Sequence, residues 1–160
     1  MVQITIEYMI MIPILIMQIF LFPLTASWLM NIWVDSRRNL ALQNAASHLG
    51  STIQQLYFSL NHETISAGTA TCSPDLPPFI ENYHFNGEAT LRTVSYPTSN
   101  SSKALELALT LATTKTTVTT MVILGPNVLW QESIFVSNST SACVSAEKFP
   151  NGTICLYFGE

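Results

Sequence analysis

Glu7-Tyr8-Met9-Ile10-Met11-Ile12-Pro13-Ile14-Leu15-Ile16-Met17, continuing through Phe20-Leu21-Phe22-Pro23 to Trp33-Val34, is the stretch on which the fold turns. After Glu7 no charged residue occurs until Asp35. That run exceeds the roughly 20 apolar residues that carry a helix across a bilayer. It is apolar all round, as expected of a helix surrounded by lipid or by other helices. Pro13 and Pro23 each remove a backbone donor and crowd the preceding turn. A membrane or a packed helical core tolerates such interruptions when neighbours satisfy the freed carbonyls. A carboxylate at the mouth of such a segment is costly without a partner, which makes Glu7 a candidate functional residue.

Beyond Asp35 the pattern changes without a break signal. Leu42, Ala46, Leu49, Ile53, Leu56 and Leu60 recur at alternating steps of four and three, one narrow apolar seam on a helix otherwise facing water. Arg37, Arg38, Asn39, Gln43, Asn44, Gln54 and Gln55 supply the wet sides, and only Gly50 interrupts. The expectation is one helix from about residue 4 to about residue 61. Residues 1–34 form its greasy, membrane or filament-core part, and residues 35–61 its amphipathic part. At 1.5 Å per residue it would be on the order of 85 Å long, more than a compact domain of this size needs. The seam is therefore expected to find its cover outside the chain.

Residues 62–160 read as β. Gly68, Pro74, Pro77-Pro78, Asn86-Gly87 and Pro97 look like turn punctuation. Leu105, Leu107, Leu109 and Leu111 alternate with Glu106, Ala108 and Thr110, a half-buried strand by period two. A helix over Lys103–Ala112 is the alternative on Leu-Glu-Ala content. Thr116–Leu124 is β-branched, and Gly125-Pro126-Asn127 turns into a further strand, Val128–Val136. Cys143–Lys148 and Thr153–Phe158 make a last hairpin around Pro150-Asn151-Gly152. The fold class is thus α+β: a long N-terminal hydrophobic α-helix followed by a small β-sandwich-like head domain.

Composition excludes some functions and favours others. Net charge is −4 with no basic cluster beyond Arg37-Arg38, against the Lys/Arg stripe of a nucleic-acid binder. Mean hydropathy is +0.33, and the apolar excess sits at the N-terminus, where five of the six methionines lie in the first 30 residues. An ordinary secretory signal has a basic start, a shorter apolar core and a small-residue cleavage site. None of these is present, so the segment is expected to be retained. Arg37-Arg38 by the positive-inside tendency favours a cytoplasmic C-terminal side. Three sequons beyond it point outward: Asn100-Ser101-Ser102, Asn138-Ser139-Thr140 and Asn151-Gly152-Thr153. Three within the last 61 residues, in turn-like contexts, favour the exported reading. Cys143 and Cys155 flank the last turn and are the candidate pair for a bridge across the hairpin, with Cys72 left over.

Catalytic constellations do not emerge. His48, His62 and His84 lack paired-ligand spacing, the six glycines occur singly, and there is no Gly-x-Ser-x-Gly elbow. His62-Glu63 reads as a solvated helix terminus. The expectation is a non-enzyme without metal or cofactor.

The opening Gln3-Ile4-Thr5-Ile6-Glu7-Tyr8-Met9 resembles the start of archaeal type IV pilin-like proteins made with a class III signal peptide. The family pattern is Gln, any residue, Ser, any residue, Glu, then an apolar helix. Gln3 and Glu7 match it, Thr5 stands for the serine, and Met1-Val2 precede Gln3 where the family carries a short basic leader. Bacterial type IV pilins and archaeal flagellins share the plan. The resemblance implies a prepilin peptidase that cuts before Gln3, so that Glu7 becomes the fifth residue of the mature chain. It implies a subunit parked in the cytoplasmic membrane with its head outside, extracted by pilus secretion machinery, and polymerised into an extracellular, glycosylated adhesive filament. It further implies that Glu7 pairs with a neighbour's terminal amine and sets the axial register, because an unpaired buried charge costs several kcal/mol. A single-span membrane-anchored binding protein and a motility filament are the alternatives. A filament core would use an apolar seam over residues 35–60, whereas a monomeric anchor would not.

Overall fold

The computed structural model describes residues 2–95, 101–114 and 116–159, with side chains for residues 8–94, 102–114 and 116–159. One helix, α1 (Val2–Leu60), runs unbroken through Pro13 and Pro23. Eight strands follow: β1 (Gly68–Cys72), β2 (Phe85–Ser95), β3 (Ser101–Leu111), β4 (Thr117–Leu124), β5 (Val128–Trp130), β6 (Ile134–Val136), β7 (Cys143–Lys148) and β8 (Ile154–Gly159). They form two four-stranded sheets, ordered β1-β7-β8-β5 and β4-β3-β2-β6. Every pairing is antiparallel except β5 with β8. The fold is α+β with a long N-terminal helix, as the patterning indicates.

The chain divides into two compact units, Met1–Arg37 and Arg38–Glu160. The boundary falls inside α1 and not at its end, for a physical reason. Leu42, Ala46, Leu49, Ile53, Leu56 and Leu60 are all buried, in one core with the inner faces of both sheets. The seam is therefore covered by the chain's own head. The expectation that it lies open to a filament core is corrected, and residues 35–60 no longer separate a filament subunit from a monomeric anchor.

Within the second unit, β3 behaves as its alternation requires. Leu105, Leu107, Leu109 and Leu111 are buried, and they face Leu91, Ala89, Gly87 and Phe85 of β2. Gly87 thus lies inside a strand, and the expected Asn86-Gly87 turn is not one. A Cβ on Gly87 would come within 2.7 Å of Leu109 Cδ2 and 3.2 Å of Phe135 Cβ, so packing and not turn geometry demands glycine there. The expected single strand Val128–Val136 is two. It leaves one sheet after Trp130 and joins the other at Ile134. Ser133 fixes the corner: its Oγ donates to Gln131 O (3.0 Å) and accepts from Phe158 N (2.8 Å). Phe85, Phe135, Phe158 and Trp130 then form a chain of ring contacts from sheet to sheet, with centroids 4.9 to 6.3 Å apart.

The predicted Cys143–Cys155 bridge is not made. The β7–β8 register sets Cys143 opposite Gly159 and Cys155 opposite Glu147. Four residues separate the two cysteines along the ladder, about 13 Å, where a disulfide needs Cα atoms within about 7 Å. All three cysteines are free thiols. Pro97 lies outside the described residues.

Candidate functional site

The first unit is a helix with nothing of its own to cover it. Between Tyr8 and Trp33 nineteen large apolar side chains are exposed, on every side of the helix. A soluble monomer rarely exposes a contiguous apolar patch beyond a few hundred Å². By length and composition α1 is able to cross a membrane.

Three features give this surface local character. Pro23 has no N–H for the carbonyl of Ile19, and two residues on Thr25 Oγ1 donates to Leu21 O (3.0 Å) and Phe22 O (2.9 Å). The helix stays continuous through the proline, although the Thr25 hydroxyl bonds carbonyls other than the one that Pro23 frees. Around it runs a shallow groove lined by Leu15, Gln18, Ile19, Phe22, Pro23 and Thr25. At the far end of the unit the Arg37 guanidinium lies 5.0 Å over the Trp33 ring, a cation–π pair of the kind enriched where apolar segments meet water.

Within the second unit, two joints hold the rest of α1 to the head. At its start Arg38 Nε meets Glu81 Oε2 at 2.7 Å, and its guanidinium stands 5.7 Å over the Tyr83 ring. Glu81 and Asn82 have φ of +48° and +71°, and Ile80 and Tyr83 exchange both backbone hydrogen bonds (2.8 and 3.0 Å). This is the two-residue primed turn of a tight hairpin. No glycine marks it, so local composition did not reveal the turn. At the helix end Tyr57 Oη donates to Asn127 Oδ1 (3.0 Å). Asn127 Nδ2 donates to Asn61 Oδ1 (3.0 Å) and Gly152 O (2.8 Å). Lys148 Nζ reaches the carbonyl of His62 (3.0 Å), where a cation meets the negative end of the helix dipole. Burial raises the Tyr57 hydroxyl above its ordinary pKa, and a hydrogen bond with the Gly125 backbone works against the rise. Burial, with Glu147 alongside, raises the Cys155 thiol.

The sequence-derived candidates fall as follows. Gln3, Thr5 and Glu7 belong to the first turns of α1, and their side chains lie outside the described residues, as does Asn100. Asn138 and Asn151 are exposed in turns. Asn151 Oδ1 accepts from Thr153 N (3.0 Å), an Asx turn within its own sequon. Among the described residues no cluster of His, Cys, Asp and Glu is able to hold a metal. Comparisons with protein-family profiles, curated proteins and solved structures find no match.

Proposed function

We propose that the chain is a structural subunit of an extracellular filament of the type IV pilin kind, polymerising through the apolar surface of Tyr8–Trp33. The observation that carries this reading is the all-round exposure of that surface, on a helix whose continuation is locked into a packed head. One head covers one side of a helix. A helix apolar on every side needs several neighbours, and identical helices supply them. Burial is worth roughly 25 cal/mol per Å² of apolar surface, so such a segment among its copies contributes tens of kcal/mol as a gross upper estimate. Gln18 adds to the case. An amide in an apolar segment is better placed against another helix than against acyl chains.

Before assembly the same surface holds the subunit in the membrane. On this reading a peptidase cuts before Gln3, Glu7 sets the axial register against a neighbour's terminal amine, and secretion machinery extracts the subunit. The heads form the outer, adhesive layer, carrying glycans on Asn138 and Asn151. Electron microscopy of sheared cell-surface material tests the proposal. The chain is expected in thin fibres. If it stays in detergent-extracted membrane and never enters fibres, it is a single-span anchored ectodomain and the proposal fails.

A further inference from the structure

The head carries, at one end, an apolar loop whose position is fixed by the first residue of its own helical segment. We propose that the Pro77-Pro78-Phe79 loop rests on the lipid bilayer, in the interfacial layer around the emerging helix. The proposal rests on the membrane stage of the function above.

The loop is held rigidly. Pro78 O accepts from Ser137 Oγ (2.8 Å), and the same Oγ accepts from Phe85 N (2.9 Å). On the other side Ile80 is buried, and the primed turn at Glu81-Asn82 brings Glu81 back onto Arg38. With Ile80 turned into the core, Phe79 points out and is 51% exposed; Pro77 and Pro78 are exposed beside it. Positive φ at two adjacent non-glycine residues is uncommon, and such backbone persists where the surroundings over-determine it.

Chain connectivity supplies the occupant. The loop is tied to Arg38, and one peptide bond separates Arg38 from Arg37, whose guanidinium covers Trp33. Trp33 and Arg37 are the residue types that mark the water edge of a membrane helix. A rigid, exposed Phe beside two prolines, tethered to that edge, meets the interfacial layer where aromatic side chains are favoured. The other end of the same domain is far away. From Arg38 to Leu60 the helix rises about 33 Å, and there Phe149 follows Lys148, whose ammonium reaches His62 O. The Phe149–Gly152 turn is therefore a built-in control.

The test uses the unmodified full chain in phosphatidylcholine–phosphatidylglycerol nanodiscs containing a head-group nitroxide lipid, read by paramagnetic broadening of backbone amide signals. The amides of Phe79 and Asn82 are expected to broaden several-fold more than those of Phe149 and Gly152, with Met30 as the control for insertion. Phe79→Ser is expected to reduce the broadening at Asn82. Broadening at Met30 with none at Phe79 above the Phe149 level would overturn the loop contact and leave the membrane stage standing. No broadening at Met30 would overturn both. A Phe79 amide unaffected by nitroxide lipid yet protected from hydrogen exchange only in fibres would assign the loop to a second copy, and would overturn the proposal as well.

Discussion

Replacing Gly125 by alanine probes the joint that fastens the end of α1 to the head. The backbone of Gly125 is not left-handed, so alanine meets no conformational strain there. The new Cβ would lie 2.0 Å from Tyr57 Oη, 3.1 Å from Tyr57 Cζ and 3.1 Å from Asn127 Oδ1. Tyr57 is buried, and its hydroxyl is the donor to Asn127. The ring must move and that hydrogen bond must break. Overpacking of this kind costs about 1–3 kcal/mol. A buried partner left unsatisfied costs about 1–3 kcal/mol more, against a gain of about 0.4–1 kcal/mol from the stiffer unfolded chain. The net expectation is a loss centred near 3 kcal/mol, within about 1–5 kcal/mol, a fall in melting temperature on the order of 10 °C.

The control is Tyr57→Phe, which deletes the oxygen the new methyl would strike. In that background Cζ and Asn127 Oδ1, each at 3.1 Å, still oppose the methyl, gaps that close with a small shift, and Gly125→Ala should cost about 1 kcal/mol or less. Gly68→Ala, with open space around its Cβ, should stay within about 0.5 kcal/mol of the parent. Thermal unfolding of the full chain in detergent, followed by near-ultraviolet circular dichroism, reads the tertiary packing of the head. If the Gly125→Ala and Tyr57→Phe losses simply add, within about 0.5 kcal/mol, the contact does not act as described and the joint is misassigned.

Glu7→Ala is expected to leave membrane insertion intact and abolish fibres; fractionation and microscopy of sheared material read the two separately, and normal fibres would refute the register role. Leu21→Arg, near the middle of the apolar surface, should leave head unfolding unchanged while opposing insertion by about 2.5–3.5 kcal/mol; a destabilised head would contradict the division into two units. Tyr57 gives a pH dependence of defined sign. Its folded pKa lies above the ordinary 10.0, so the unfolded chain loses the proton first. Stability is full below the ordinary value and falls as pH rises through the raised one. Tyr57→Phe should flatten that alkaline decline, and an unchanged slope on titration with unfolding would count against the burial. For Cys155, alkylation should shift to lower pH in Glu147→Gln, since both burial and the neighbouring carboxylate disfavour the thiolate; an identical profile would remove Glu147 as a cause.

The helix and the β3 strand were legible because each carries its period in plain view. Steps of three and four from Leu42 to Leu60, and of two from Leu105 to Leu111, survive unchanged as buried faces. The missed elements lacked such a period or hid it. In β2 the pair Asn86-Gly87 imitates a turn, and only the partner side chains of Leu109 and Phe135 reveal why glycine sits there. The corner at Gln131–Ser133 has no glycine or proline; it is made by one hydroxyl that bridges Gln131 O and Phe158 N. The Glu81-Asn82 turn is held by Arg38, 43 residues earlier. Pairings that distant are tertiary facts, beyond local propensity. The cysteine pairing failed on register, which the turn sequence alone does not specify.

A single helix thus carries two surfaces with different demands. From Leu42 onward the apolar residues, Phe58 excepted, occupy one face, and the head covers that face. Before Arg37 they occupy every face, and no head of this size could wrap them. Lipid would satisfy apolarity alone. It would not answer the amide of Gln18, which is better placed against another helix than against acyl chains. Copies of the same helix answer both. They would offer apolar side chains in every direction and a polar partner for the amide. The proposal that the apolar segment serves assembly, and not anchoring alone, follows from that difference in what lipid and protein can complement.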